Sequence, residues 1–310
     1  MGSRTYGNWL VIRGFLVNGD PKPSVENIKK HLRIYPLAEA ANPPETKFIN
    51  ISGKAVNTIH ANTAEFYEEV NAIIQEEPTD ALDPELTGQL AAIGIQKGKP
   101  FQPDERMRKI LEEAAAIGSA TARVLMFSPP RNKEYFYYSG SNWFMPFPGG
   151  SYEFLDNGAR TLDDRSSFFY GATGITPAMA IEMVGVGSQY AASAQDAQGE
   201  YLDGSKNYKL RLPANVPVKD FWSVVVYDPQ TRSMLQTDNP FPSLNSARGV
   251  KQNADGSADI YFGPKAPKGK EGNWIQTVPG KGWFVILRLY GPLEPWFDKS
   301  WRPGEIELVK

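Results

Sequence analysis

The sequence contains no cysteine, and this absence excludes several kinds of chemistry at once. A chain without cysteine can form no disulfide, has no thiol nucleophile, and cannot bind zinc or an iron–sulfur cluster through sulfur. Histidine is also scarce, with 2 residues among 310, so a zinc site built on histidine is not expected. Cysteine-free proteins occur in every compartment, so the absence does not decide the location.

The sequence also lacks a strong excess of charge and a long apolar run. Its formal net charge is −2, which gives no electrostatic reason to expect nucleic acid as a partner. No apolar stretch reaches the ~20 residues of a membrane-spanning helix, so no transmembrane segment is predicted. The first residues have no recognisable signal peptide, and both periplasm and cytoplasm remain open as locations.

Two familiar catalytic signatures are missing as well. The glycine-containing run that begins at Gly185 lacks the further glycine and the lysine of a phosphate-binding loop. No G-x-S-x-G segment is present to form a nucleophile elbow. The sequence therefore does not establish whether the protein is an enzyme.

The distribution of residue types divides the chain into three regions. An apolar first segment, residues 1–17, predicts a strand that is a remnant of, or a contribution to, a β-sandwich. Residues 18–130 show helical periodicity and capping residues, which predict a mainly helical linking region. Residues 131–310 contain short apolar runs separated by glycine and proline, which predict a β-sandwich domain. The expected fold class is therefore α+β, with a helical N-terminal region followed by an antiparallel, jelly-roll-like sandwich.

The most informative segment is Trp283–Tyr290, which reads WFVILRLY. Alternation places two apolar faces on this strand, which predicts a central position in a packed sheet. The Gly/Pro-rich run Val278–Gly282 is typical of a turn, so residues 273–277 and Trp283–Tyr290 are predicted to form a hairpin.

Arg288 interrupts one of these apolar faces, and Arg13 occupies a similar position in the first segment. A guanidinium keeps its charge at every accessible pH and needs acceptors around it. One interpretation is that each arginine closes a buried ion pair, with Asp164 as a partner for Arg288. The other is that the arginines line a cavity and bind an anionic or polar ligand.

A second charged cluster is formed by Asp163, Asp164 and Arg165 beside an aromatic run. Adjacent carboxylates could bind a hard divalent cation such as calcium, or one could act as an acid or base. Alternatively, they cap a turn while Arg165 makes a structural salt bridge. The candidate ligand-binding residues are Arg13, Asp163, Asp164, Arg165, Asn273, Trp274, Arg288 and Tyr290; catalytic residues and metal ligands remain unassigned.

Several longer motifs carry a family resemblance. These are Asn253–Ser257, Tyr261–Pro264, Asn273–Phe284 and Arg288–Trp296, with Arg13–Pro21 and Ile59–Asn62 upstream. Together they resemble the bacterial proteins that carry the paired domains of unknown function 1254 and 1214. The resemblance implies a jelly-roll-like C-terminal domain, and it implies that Tyr6–Val17 is the last strand of a domain 1254 otherwise absent from this chain. It implies no catalytic residue.

These observations leave three functional hypotheses. The first is a sandwich protein that binds a small polar molecule or a carbohydrate. The second is a metal-assisted hydrolase acting on a phosphorylated or sugar-like substrate. The third is a structural assembly module. The apolar first segment additionally predicts a homo-oligomer, because it exposes more apolar surface than a soluble monomer usually leaves in water.

Overall fold

The computed structural model describes residues 3–57, 59–128, 135–147, 150–172 and 174–309. The chain forms two compact units, Met1–Leu111 and Glu112–Lys310. The fold is α+β, with a helical N-terminal region followed by two four-stranded sheets. The boundary predicted between residues 130 and 131 lies outside the described residues.

The first unit is built from helices, as its periodicity predicts. They are α1 (Lys22–His31), α2 (Glu65–Glu76), α3 (Pro84–Ala92) and the start of α4 (Glu105–Phe127). Asp83 caps α3 by accepting a hydrogen bond from the Leu86 N–H, and Asp104 does the same for Met107 at the start of α4. These caps explain why α3 and α4 begin at Pro84 and Glu105.

The first segment of this unit differs from its prediction. Residues 6–16, all described, contain no strand, and Val17 takes part only in an isolated bridge with Asp20. The apolar side chains are exposed, with Trp9 at 77% and Phe15 at 89% of their full accessible surface. A strand needs a hydrogen-bonded neighbour, and no described strand of this chain pairs with the segment. Sequence pattern alone could not show that this neighbour is absent.

The second unit contains the remaining secondary structure. Its helices after α4 are α5 (Leu162–Gly171), α6 (Pro177–Ala180) and α7 (Glu294–Phe297). Its strands are β1 (Leu155–Asp156), β2 (Ala159–Arg160), β3 (Ser188–Ser193), β4 (Asn207–Leu212), β5 (Val218–Tyr227), β6 (Ser243–Asn245), β7 (Ala258–Gly263), β8 (Trp274–Gln276), β9 (Phe284–Pro292) and β10 (Ile306–Val309).

Eight of these strands form two sheets, and β1 pairs with β2 separately. Sheet 1 has the order β10-β4-β7-β8, and sheet 2 has the order β3-β9-β5-β6. Every neighbouring pair is antiparallel except β7 and β8, which are parallel. The inner faces of both sheets contribute to one hydrophobic core, so the unit is a β-sandwich.

Strand β9 lies between β3 and β5, which confirms its predicted central position. On its inner face, Val285, Leu287 and Leu289 are fully buried in the core. On its outer face, Phe284 packs in a second apolar cluster with Phe127 of α4 and Tyr170 of α5. Both faces are thus covered at this end of the strand, as its apolar pattern requires.

The predicted hairpin between residues 273–277 and Trp283–Tyr290 is wrong. Strand β8 pairs with β7 in sheet 1, whereas β9 belongs to sheet 2. Residues Val278–Gly282 therefore cross between the sheets. Their turn rests on Gly204, whose N–H donates to the carbonyl oxygen of Lys281 at 2.8 Å and whose carbonyl accepts from the Thr277 hydroxyl at 2.9 Å. Gly/Pro content identified the turn but could not show that its two arms pair with different partners.

Candidate functional site

The charged cluster at residues 163–165 lies on the first turn of α5. Asp163 is exposed, whereas Asp164 is buried and accepts a hydrogen bond of 2.6 Å from the Tyr135 hydroxyl. Acidic side chains in a first helical turn also interact favourably with the helix dipole. This arrangement fits a structural role, and the described residues include no group of three or more metal-ligating side chains.

The side chains of Asn273 and Trp274 form hydrogen bonds with backbone groups in and beside sheet 1. The Asn273 side chain donates to the carbonyl oxygens of Lys251 and Asp259 at 2.8 and 2.9 Å, and it accepts from the Lys251 N–H at 2.8 Å. The Trp274 indole N–H donates to the Gly263 carbonyl at 3.0 Å. These polar groups are occupied by the fold itself, so they are poor ligand contacts.

Arg13 lies in the exposed first segment of the N-terminal unit. It therefore belongs to a different compact unit from Arg288.

The remaining candidates, Arg288 and Tyr290, lie on the outer face of sheet 2. Directly opposite positions on neighbouring antiparallel strands point to the same face. Tyr190 of β3 lies opposite Arg288, Ser223 of β5 lies opposite Arg288 on the other side, and Asn245 of β6 lies opposite Ser223. We call these four residues the polar row; it runs across the whole width of the sheet.

Arg288 is held by aromatic rings. Its guanidinium carbon lies 4.8 Å from the ring centroid of Tyr190 and 4.5 Å from that of Tyr290. Such stacking favours a cation and fixes the plane of the guanidinium. Tyr290 is itself stacked on Phe221, with ring centroids 4.0 Å apart.

The predicted ion pair of Arg288 with Asp164 is not formed, and no other described carboxylate pairs with Arg288. The Nε atom is buried and has no hydrogen-bond partner among the described residues. Arg232 offers a contrast within the same domain. It lies over the Tyr170 ring at 4.1 Å, but its Nε donates to the Tyr170 carbonyl at 2.8 Å. Stacking alone therefore does not deprive an arginine of acceptors in this fold.

A second unpaired polar atom lies in the same row. The side-chain oxygen Oδ1 of Asn245 is buried and likewise has no partner among the described residues. Buried polar groups in folded proteins are nearly always hydrogen-bonded, because losing water without compensation costs about 1–3 kcal/mol. Two of the four such atoms found among the described residues lie in this row; the other two are Asp259 Oδ1 and Trp283 Nε1.

Three tyrosines share this face with Arg288: Tyr190 and Tyr290, which contact it, and Tyr227, which lies opposite Phe284. Burial raises the pKa of the Tyr227 hydroxyl, the positive charge of Arg288 opposes that rise, and Tyr290 and Tyr190 reinforce it. None of the three hydroxyls donates to a residue in the described part of the chain, so each can serve a ligand.

Sequence reasoning identified Arg288 and Tyr290 but missed Tyr190, Ser223, Tyr227 and Asn245. Alternation within β9 could find the first two because they share one strand. The others come from β3, β5 and β6, and only the strand order and register show that they share a face. A polar residue at a mid-strand position, such as Ser223 in its run of valines, is the signal that was available.

A separate recess of about 290 Å³ lies at one end of the sandwich. It is lined mainly by apolar groups, including Phe127, Leu202, Pro229 and Trp283. It is an alternative location for a ligand with an apolar body.

Comparison with known proteins finds a family match for part of the sandwich. Residues 187–294 match the family model described as "Protein of unknown function (DUF1214)", which confirms the predicted resemblance for this part of the chain. No curated protein matches the sequence. None of the described helices is long and apolar enough to cross a membrane.

Two solved structures are similar to parts of the chain. The crystal structure of the VPA0106 protein from Vibrio parahaemolyticus has 21% identity and a TM-score of 0.44, covering 95% of this chain and 66% of that one. An uncharacterized protein from Burkholderia cenocepacia has 14% identity and a TM-score of 0.32, covering 67% of this chain and 44% of that one. The chain thus spans less than two thirds of either protein.

Proposed function

We propose that the sandwich domain binds a small polar ligand at the polar row of sheet 2, with Arg288 as the central contact. The observation that carries this proposal is the buried Nε of Arg288, which has no acceptor among the described residues. A guanidinium cannot lose its charge to relieve this situation, so an acceptor from outside the chain would stabilise it.

The surroundings of Arg288 support the proposal. Tyr190 and Tyr290 hold the guanidinium plane, which lowers the entropy lost when a ligand binds. All four members of the polar row lie on rigid strands rather than on loops, and Tyr190, Arg288 and Asn245 are each only partly buried. The row is therefore ordered, and three of its four residues are partly exposed, whereas Ser223 is buried.

The test is a binding screen of small sugars, phosphates and carboxylates by thermal shift, followed by titration calorimetry of the hits. We expect at least one compound to bind the wild-type protein and to lose affinity in Arg288→Met. Arg211→Met is the matched control, because it removes the same charge from sheet 1. Failure of every compound to bind, or equal binding by Arg288→Met, would contradict the proposal.

We also propose that the chain comes from a bacterium, that its sandwich is jelly-roll-like, and that residues upstream correspond to the end of domain 1254. The motifs at Arg13–Pro21 and Ile59–Asn62, which resemble the segment that joins the two domains in that family, support this assignment. An alignment of relatives that separated residues 6–62 from domain 1254 would reject it.

The hydrolase and assembly hypotheses remain predictions. A hydrolase screen with and without EDTA, run on the purified protein, tests the first. EDTA-sensitive turnover would favour a metal-assisted reaction.

A further inference from the structure

Resting on the binding site just proposed, we infer that the ligand is a monocarboxylate with an apolar body. The carboxylate would contact Arg288 and the tyrosine hydroxyls, and the apolar body would lie on the neighbouring side chains of sheet 2. The inference rests on the charge, the hydrogen-bonding groups and the apolar surface of this face.

The charge of the face fits a monoanion. Register places the following residues on it: Ser188, Tyr190 and Ala192 of β3; Phe284, Ile286, Arg288 and Tyr290 of β9; Phe221, Ser223, Val225 and Tyr227 of β5; Ser243 and Asn245 of β6. Arg288 is the one charged residue in this set. A single guanidinium neutralises one negative charge, so a phosphate dianion would retain uncompensated charge in a half-buried site.

The hydrogen-bonding groups favour a ligand that accepts. The guanidinium only donates, and none of the hydroxyls of Tyr190, Tyr227 and Tyr290 donates to a residue that the structure describes. A carboxylate presents two oxygens in a plane and can accept from Nε and one terminal nitrogen of an arginine together. The rings of Tyr190 and Tyr290 fix the plane of the guanidinium before a ligand arrives.

The apolar part of the face favours an amphipathic molecule. Val225 lies next to Ser223 on β5 and is only partly buried, whereas its cross-strand partner Ile286 already packs against the second apolar cluster. On the other side of the row, Phe221 is stacked on Tyr290 and is also partly exposed. A carboxylate with a hydrophobic body can cover these groups, whereas a sugar would bring hydroxyls that they cannot satisfy.

The experiment compares phenylacetate with phenylacetamide, inorganic phosphate and glucose by titration calorimetry. Phenylacetamide has nearly the same shape as phenylacetate but no charge. We expect phenylacetate to bind and phenylacetamide to bind at least about tenfold more weakly, because the charge-assisted pair is lost. We expect Arg288→Met and Arg288→Lys to weaken phenylacetate binding at least about tenfold. Arg211→Met should change it less than about twofold, since that residue lies on the other sheet.

The outcomes separate this inference from the proposed site. If glucose or phosphate binds wild-type protein and not Arg288→Met, while phenylacetate fails to bind, the carboxylate class is wrong and the site stands. If phenylacetate and phenylacetamide bind with equal affinity and neither binds Arg288→Met, the carboxylate class is again wrong and the site stands. If phenylacetate binds equally to wild type and Arg288→Met, it occupies another location, such as the recess near Trp283, and both proposals fail. Both also fail if none of the four compounds binds.

Discussion

Arg288 and Tyr190 are direct cross-strand partners on β9 and β3, and the guanidinium carbon of one lies 4.8 Å from the ring centroid of the other. The arginine is thus stabilised by an aromatic face where an ion pair with Asp164 was predicted. An aromatic ring attracts the cation but accepts no strong hydrogen bond from Nε. This difference changes what a substitution at Arg288 should do to stability.

Replacement of Arg288 by Met should have a small effect on stability. A buried ion pair would make the loss on the order of 3 kcal/mol, because the acidic partner would remain unpaired. Arg288 has no such partner among the described residues. Met in its place keeps the contacts of the aliphatic stem and removes an unsatisfied donor. We expect the free energy of unfolding in urea to change by less than about 1 kcal/mol. A loss near the larger value would show that a carboxylate does pair with Arg288.

Replacement of Tyr135 by Phe should destabilise the sandwich domain. The change removes the 2.6 Å hydrogen bond to Asp164 and leaves that buried carboxylate with one donor fewer. We expect a loss of about 1–3 kcal/mol, measured by urea unfolding. Asp163→Asn, on the exposed neighbour, is the control and should change stability by less than about 0.5 kcal/mol. Equal effects of the two substitutions would contradict a structural role for Asp164.

Asp228 should make stability depend on pH in the acid range. Burial tends to raise the pKa of Asp228, but hydrogen bonds from the Gln230 N–H, from Lys281 and from the Thr231 N–H outweigh it and hold the pKa below its ordinary value of 3.8. A pKa lowered by folding adds stability that is present above pH 3.8 and is lost as the pH falls through the folded value.

The substitution Asp228→Asn tests this dependence. We expect it to cost about 1–2 kcal/mol near neutral pH, because it removes the charge-assisted bond from Lys281 at 3.1 Å. The difference from wild type should shrink as the pH falls below 3.8, because the carboxyl is then protonated in the unfolded chain and, below its lowered pKa, in the folded protein as well. Unfolding curves across this range give the measurement, and a difference that stays constant would show that the charge is not involved.

Gly204 should tolerate no side chain. A Cβ at this position would overlap the carbonyl oxygen of Val278, which is backbone and cannot move away cheaply. We expect Gly204→Ala to destabilise the domain by about 1–3 kcal/mol in thermal or urea unfolding. Gly272→Ala is the matched control, because its Cβ would meet Lys251 at an ordinary 3.7 Å. Similar stability of both variants would mean that the turn at residues 278–282 does not rest on Gly204.

The exposed apolar segment of residues 9–17 should promote self-association. Its side chains are rich in large apolar groups, and Trp9 and Phe15 leave most of their surface in solvent. We expect light scattering to show a concentration-dependent oligomer that is weakened by Trp9→Ser together with Phe15→Ser. Leu37→Ser is the control, since Leu37 is 88% exposed but lies outside the segment. A monomer at all concentrations would contradict this expectation.

Local patterns predicted local structure well. Helical periodicity predicted the helical region that contains α1 to α4, and alternation within β9 assigned each of its side chains to the correct face. Both signals depend on residues within a few positions of each other. The errors arose where pairing is distant, as for β8, which joins β7 in parallel instead of turning back onto β9.

The candidate site shows the same division. Arg288 was identifiable because a charge on an apolar strand is anomalous wherever the strand lies. The rest of the polar row was harder to identify. Tyr190 and Asn245 are separated along the chain by β4 and β5, and they share a row with Arg288 only because of the strand order. The carboxylates of Asp163 and Asp164 show the reverse case. Their proximity in sequence suggested a cation site, but on helix α5 one side chain is exposed and the other accepts a hydrogen bond from Tyr135.

The strand order has a consequence for the rate at which the domain folds. Only two of the six hydrogen-bonded pairs in the sheets, β5 with β6 and β7 with β8, join strands that are consecutive in the chain. Strand β3 must find β9, and β4 must find β10, across most of the domain, so long loops close before these contacts repay the lost entropy. Such non-local pairing is typical of domains that fold in milliseconds to seconds. Until β9 docks between β3 and β5, the edges of those strands are open to pairing with another chain, so refolding yield should fall as protein concentration rises.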